Sequence, residues 1–247
     1  MTPRSDLDLV RIDLACSFVF DTAGRIKRTN APDATRGPRL YLSGCRDGNV
    51  LALGHDVSDA VAREIESLAT DEPPLATLDA VPRHLDRFLA LLGRDVPVEE
   101  WMTGPRWVVP DGFTFEDHGL LVRSGSAEGD ALVERLREHG MTPDLRVEGF
   151  HDPGDFWPPW CALLDGDEVA SICFAARLGS RGAEAGVTTM APYRGRGFAT
   201  AATAGWATHP ELRRHALFYS TSHQNVASQH VAQRLGLRFL GSSLRIM

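Results

Sequence analysis

The chain has 247 residues, 43% hydrophobic and 24% charged, with a net charge of −7, which excludes a disordered or low-complexity chain and suffices for one large domain or two small ones. No apolar run approaches the ~20 residues of a membrane-spanning helix. Residues 1–9 carry charge and proline where a signal peptide has its apolar core, so a cytoplasmic protein without a membrane partner is expected.

Residues 16–54 read as strands and turns. SFVFD and GRIKR flank one turn; RLYLSG and VLALG flank Arg46-Asp47-Gly48-Asn49, a hairpin signal. Ser58 opens a helix over SDAVAREIESLA, and VPRHLDRFLALLG, after Pro73-Pro74, reads as a second amphipathic helix ending at Gly93. Together these predict a small N-terminal α/β accessory domain over residues 1–104, without a catalytic signature. The boundary is placed near Gly104, and a second domain covers residues 105–247.

The second domain begins with a strand at HGLLVRS and a helix at SAEGDALVERLREHG, capped by Ser126 and stopped by Gly140. HDPGDFWPPW is an irregular aromatic loop. CALLDGDEVASICFAAR is a hairpin turning at Asp165-Gly166-Asp167, and EAGVTTM a further strand. A helix over 197–208, the strand ALFYST, a helix over 225–235 and the strand LRFLGSSLRI complete the chain. The order β-α-β-β-β-α-β-α-β predicts an α+β fold, a mixed sheet with helices on its faces.

Cys16, Cys45, Cys161 and Cys173 form no CxxC pair and read as buried thiols. The histidines lack metal-site spacing, and His223 and His230, seven apart, do not make one. Charge is distributed more tellingly. From residue 191 onward seven arginines face a single acid, Glu211, so this end carries +6 and residues 1–190 carry −13. A basic end on an acidic protein suits a small polyanionic ligand and argues against nucleic acid, whose long backbone the remaining surface would repel.

Tyr193-Arg194-Gly195-Arg196-Gly197-Phe198-Ala199 lies between a strand and a helix. Two glycines allow a tight turn and close approach of an anion to the amides; the helix behind them aims its unpaired N–H groups and positive dipole end at the loop. A phosphate or pyrophosphate fits. A P-loop would need Gly-Lys-Ser/Thr, and Lys27 is the only lysine. A dinucleotide fold would need a small residue at Thr200, a later acid and another βαβ unit, and only 47 residues remain after Thr200.

The hexapeptide Arg194-Gly195-Arg196-Gly197-Phe198-Ala199 resembles the acyl-CoA loop of the GNAT N-acetyltransferase superfamily. Two flanking segments extend the resemblance: the strand over 184–190, and Asn225-Val226-Ala227-Ser228 followed by Leu235-Gly236-Leu237. It is firm over residues 160–240, extends to about 105, and says little of residues 1–100. It implies a mostly antiparallel GNAT-like sheet and acetyl-CoA as co-substrate. The amides of Gly195, Arg196, Gly197, Phe198 and Ala199 would hold the pyrophosphate with Arg194 assisting. The edge at Thr189 and Met190 would pair with the pantetheine arm, and Asn225 and Ser228 would meet it from the other side. For Asn225 and Ser228, helix capping is the competing reading.

The same resemblance makes Glu184 a candidate general base and an N–H near Met190 a polariser of the thioester carbonyl. Many relatives carry a tyrosine seven residues after the asparagine; here that position is Ala232, so Tyr219 and Ser228 are the candidate proton donors, with solvent as a third. Relatives finish with a two-stranded hairpin, but only one strand fits after Gly236, and RWVVP is expected to complete the sheet. The aromatic loop, with Phe156, Trp157, Trp160, Asp152 and Asp155, either walls the acceptor site or closes over the core. The implied function is transfer of an acetyl group from acetyl-CoA to a primary amine of a small molecule; a homodimer is compatible with it. The alternative is a catalytically inactive CoA-binding regulatory module.

Overall fold

The computed structural model describes residues 4–116 and 121–247. The chain opens with α1 (Asp6–Ser17), capped by Ser5, whose hydroxyl accepts from the Asp8 N–H. This helix was not expected. Asp13 sits on its buried side and breaks the apolar period that would have announced it. The expected turn follows as β1 (Phe18–Phe20) and β2 (Ile26–Thr29), and the expected hairpin as β3 (Leu40–Cys45) and β4 (Gly48–Leu53). α2 (Asp59–Ala69), capped by Ser58, and α3 (Leu85–Leu92) pack Val61, Ile65, Phe88 and Leu92 against Leu40, Leu42 and Leu53.

β5 (Trp101–Val108) contains the expected completing segment, and β6 (Leu121–Arg123) follows. The rest of HGLLVRS before Leu121 lies outside the described residues. α4 (Ala127–His139) begins at Ser126 as expected, and a short α5 (Pro143–Val147), not foreseen, follows it. Then come β7 (Trp160–Asp165), β8 (Glu168–Leu178), β9 (Gly182–Thr189), α6 (Phe198–Ala207), β10 (Ala216–Ser220), α7 (Val226–Arg234) and β11 (Arg238–Ile246).

Among the described residues nine strands form one sheet in the order β4-β3-β11-β5-β10-β9-β8-β7-β6. Among these pairs only β9 and β10 run parallel. β5 is inserted between β10 and β11, antiparallel to both, and supplies the strand that the C-terminal end lacks. Gly104, the expected boundary, therefore lies inside a central strand, paired with Ser243. The sheet runs without interruption from the N-terminal hairpin β3–β4, through β11, into the C-terminal part.

The two faces are covered differently. α1 packs Leu9, Val10 and Ile12 on Ala216 and Phe218, while α4 and α5 pack Leu132, Leu136 and Leu145 over Ile172. On the opposite face α6 sets Ala202 and Trp206 against Leu217 and Cys173, and α7 sets Val231 and Ala232 against Tyr219 and Trp107. The four cysteines are buried and none is in a disulfide.

Candidate functional site

β10 begins in register with β9, Ala216 opposite Gly182 and Phe218 opposite Glu184, and there the pairing stops. Beyond Phe218 the strand follows β5 instead: Tyr219 and Ser220 oppose Trp107 and Arg106, and the N–H groups of Thr221 and His223 donate to the carbonyls of Pro105 and Thr103. β9 continues to Thr189 on the arm of β8. A wedge opens between the two parallel strands. The Met190 N–H donates to the Ala170 carbonyl at 3.0 Å, and antiparallel pairs alternate, so the backbone groups of Val187 and Thr189 turn away from β8 into the wedge. The polarising amide expected near Met190 is thus not that of Met190 itself, which the sheet has already taken.

The glycine loop at residues 194–199 stands at the mouth of the wedge, where Arg194 reaches the Thr189 carbonyl. Gly195 and Gly197 have φ of 76° and 85°, a left-handed conformation that costs glycine nothing, and a side chain at either would point into open space. Gly197 is the N-cap of α6 and has no side chain to cap it, so the first turn presents its N–H groups uncapped. Phe198 and Ala199 are the first residues of that turn. Arg194 is 60% exposed; its Nε donates to the Thr189 carbonyl (3.1 Å) and its Nη2 to Glu148 (2.5 Å). Arg196 lies over the rings of Phe198 (4.6 Å) and Tyr193 (5.5 Å) and 3.7 Å from Asp165. Both arginines are therefore held at the loop by acids from other elements, a detail with no local sequence signal.

Asn225 caps α7, its Oδ1 accepting from the Ser228 N–H at 3.0 Å, which leaves Nδ2 for other contacts. The Ser228 hydroxyl lies 2.7 Å from the Tyr219 hydroxyl. The two candidate proton donors therefore form one pair. Tyr219 is buried, which raises its pKa to about 12 against the opposing effect of the Ser228 bond. Ala232, fully buried, packs in one cluster with Tyr219.

Glu184 lies on the other face of the sheet. It accepts from Arg177 (2.7 Å) through one oxygen and from Ser220 through the other. Burial pushes its pKa up, but the charge of Arg177, the Ser220 bond and the charge of Arg106 outweigh it and hold it below the ordinary value. Arg106, itself buried, contacts Ser43 of β3 and Asp13 of α1. Buried Arg106, partly buried Arg177 and two buried acids, from β5, β8, β9 and α1, thus meet beneath α1, and Glu184 sits among them at the closed end of the wedge. Sequence reasoning missed Arg177, Ser220, Arg106 and Asp13. Arg177 was recoverable, because the β8–β9 hairpin puts it opposite Glu184.

The aromatic loop closes over the core. Phe156 and Trp160 are buried among α4 and α5 residues, and Trp157 packs edge-on to Phe174. Asp152 and Asp155 spend their carboxylates on loop amides: Asp152 accepts from Gly154, and Asp155 from His151 and Asp152. No helix among the described residues is long and apolar enough to cross a membrane.

Solved structures resemble the chain at low identity. A GNAT-family acetyltransferase from Colwellia psychrerythraea is 14% identical over 100% of this chain and 98% of its own, with a TM-score of 0.46. A GCN5-related N-acetyltransferase-like protein from Streptococcus suis is 15% identical, covering 93% and 87%, with a TM-score of 0.43. A putative GNAT-family acetyltransferase from Novosphingobium aromaticivorans is 17% identical over 60% of this chain; the match spans only 65% of that protein, at a TM-score of 0.43. No curated protein matches the chain. Residues 132–238 match the family model described as the acetyltransferase (GNAT) domain. Wedge edge, glycine loop and uncapped helix all fall within that matched segment.

Proposed function

We propose that the protein transfers an acetyl group from acetyl-CoA to a primary amine of a small cationic molecule, by direct attack of the amine on the thioester. The observation that carries this reading is the left-handed Gly195/Gly197 loop leading into an uncapped helix beside an open strand edge. Backbone N–H groups there suit a pyrophosphate, and the outward backbone groups of Val187 with the Thr189 N–H suit the amides of a pantetheine arm, the Thr189 carbonyl being held by Arg194. Arg194 and Arg196 add charge once the phosphates draw them from Glu148 and Asp165. The negative balance of residues 1–190 favours a cationic acceptor over an anionic one.

In this reading Tyr219 and Ser228 act together: Ser228 protonates the departing thiolate and Tyr219 resupplies the proton. Glu184 has the weaker claim to the base. Both of its oxygens are engaged and its pKa is depressed, so it orders the closed end of the wedge and accepts a proton only by way of water. That engagement favours the second reading, a CoA-binding module without catalysis.

Calorimetric titration with acetyl-CoA, with CoA and ATP as comparisons, tests the cofactor. Micromolar binding of acetyl-CoA lost in Arg194→Glu is the expected result; no binding at millimolar acetyl-CoA would end both readings. Thiol release with a panel of amines then separates them, since the inactive module binds without turnover.

A further inference from the structure

A second wedge lies at the far edge of the sheet, in the part of the chain that the transferase reading leaves without a role. β4 is an edge strand, and the Gly54 N–H donates to the Arg39 carbonyl at 2.8 Å in register with the β3 pairing. The antiparallel alternation then turns the N–H and C=O groups of Asn49, Leu51 and Leu53 outward. The chain entering β2 touches this edge at one point, where Ile26 bridges Gly54 in parallel and His55 donates to the Ile26 carbonyl at 2.9 Å. Before Ile26 the chain swings away into a turn pinned by Asp21, which accepts from the N–H groups of Ala23 and Arg25.

Between that turn, the β4 edge and α2 lies a groove of about 410 Å³, lined by Ala23, Arg25, Leu51, Leu53, Glu66 and Thr70 among others. Its volume is that of a small-ligand site. Arg25 Nη1 is buried and has no hydrogen-bond partner; Nη2 lies 3.7 Å from Asp59, whose side chain is 94% exposed. A buried guanidinium donor without an acceptor is unfavourable, and a carboxylate satisfies it through two nitrogens at once. Glu66 on the facing wall repels a second negative group.

We propose that this groove takes a short extended peptide, which adds as a strand to the outer edge of β4 and sets its terminal carboxylate on Arg25. Strand addition supplies main-chain hydrogen bonds to Asn49, Leu51 and the Leu53 N–H, the Leu53 carbonyl being taken by the Ile26 bridge, and the carboxylate supplies the polarity. Arg25 precedes Ile26, which meets the Leu53 end of β4, so the added strand runs parallel to β4. A second copy of the chain fits less well, because its own α2 and β1–β2 turn would meet the walls of the groove.

The test is titration of ¹⁵N-labelled protein, followed by its amide spectrum, with a random tetrapeptide pool bearing free C termini and with the same pool amidated. The expected result is shifts at the amides of Leu51, Leu53 and Arg25 with the free-acid pool, at least tenfold weaker with the amidated pool. Arg25→Gln and, independently, Thr70→Trp, which fills the groove from its exposed rim, each abolish them while the remaining spectrum stays folded. No shifts at millimolar peptide, equal shifts from both pools, or the same shifts from acetate alone would each overturn the proposal.

Discussion

In two places parallel strands of this molecule part, β9 from β10 and β4 from the chain entering β2, and the openings are equipped differently. Each turns backbone groups of one strand edge outward, away from the sheet pairing. At the first, β10 is drawn off by β5, and the opening faces two left-handed glycines, an uncapped helix end and two arginines. At the second a tight turn swings away, and the opening faces one arginine and the flank of α2. The backbone device is shared, so what each opening can hold is set by the charge at its mouth. Several amides and a dipole suit a pyrophosphate; one guanidinium suits a carboxylate.

The contrast is broken most severely at Gly197. Gly197→Trp forces a bulky side chain onto a φ of 85° at the phosphate mouth and is expected to weaken acetyl-CoA binding more than about a hundredfold, roughly 3 kcal/mol. Isothermal calorimetry measures this, and retained affinity would place the phosphates elsewhere. Next comes Glu184. Glu184→Gln leaves the partly buried Arg177 without its carboxylate, and breaking a fully buried pair costs about 3–5 kcal/mol, an upper bound here. The double variant Arg177→Met/Glu184→Leu should recover most of that in chemical denaturation. Turnover tells the roles apart: activity regained with stability makes Glu184 structural, whereas a loss of about a hundredfold that persists in the stable double variant makes it the base.

The same carboxylate has a pH signature. Its folded pKa is lowered, so its contribution to stability is complete above the ordinary value of 4.5 and is lost as pH falls below that through the folded value. Melting temperature should therefore drop more steeply below pH 4.5 in the wild type than in the double variant. Equal slopes would mean that the pair carries no such linkage.

Smaller effects follow on the opposite face and at the far edge. Tyr219→Phe should lower turnover about tenfold if the Tyr219–Ser228 pair delivers the proton, toward the low end of acid–base contributions. Because its pKa is about 12, Tyr219 stays protonated and the wild-type rate should show no tyrosine limb up to pH 10. Smallest of all, Arg25→Gln should change acetyl-CoA affinity less than about twofold, since about nothing of one wedge's charge reaches the other through a salt-screened surface. A larger change would couple the two openings.

Much of the site near residue 194 was legible because its determinants are local. Gly195, Gly197 and the two arginines fall within four consecutive positions, and the turn they need is dictated by their own backbone freedom. The same holds for Ser58, Ser126 and Asn225, which cap helices three residues deep. What escaped depended on distant partners. α1 stayed hidden because Asp13 reads as an exposed acid until Arg106, on β5, is brought beneath it. Asp152 and Asp155 looked available to an amine, yet loop amides reach their carboxylates first.

By itself, the sequence determined most of the strands and helices of residues 121–247, α5 excepted, and the left-handed turn at Gly195 and Gly197, because periodicity, capping and glycine conformation act over a few residues. The tertiary structure alone decided that β5 would slip between β10 and β11, that the sheet would cross the expected boundary at Gly104, and that Glu184 and Tyr219 would occupy opposite faces. Those outcomes depend on strand order, and strand order is chosen by the burial of whole faces rather than by any residue's neighbours along the chain.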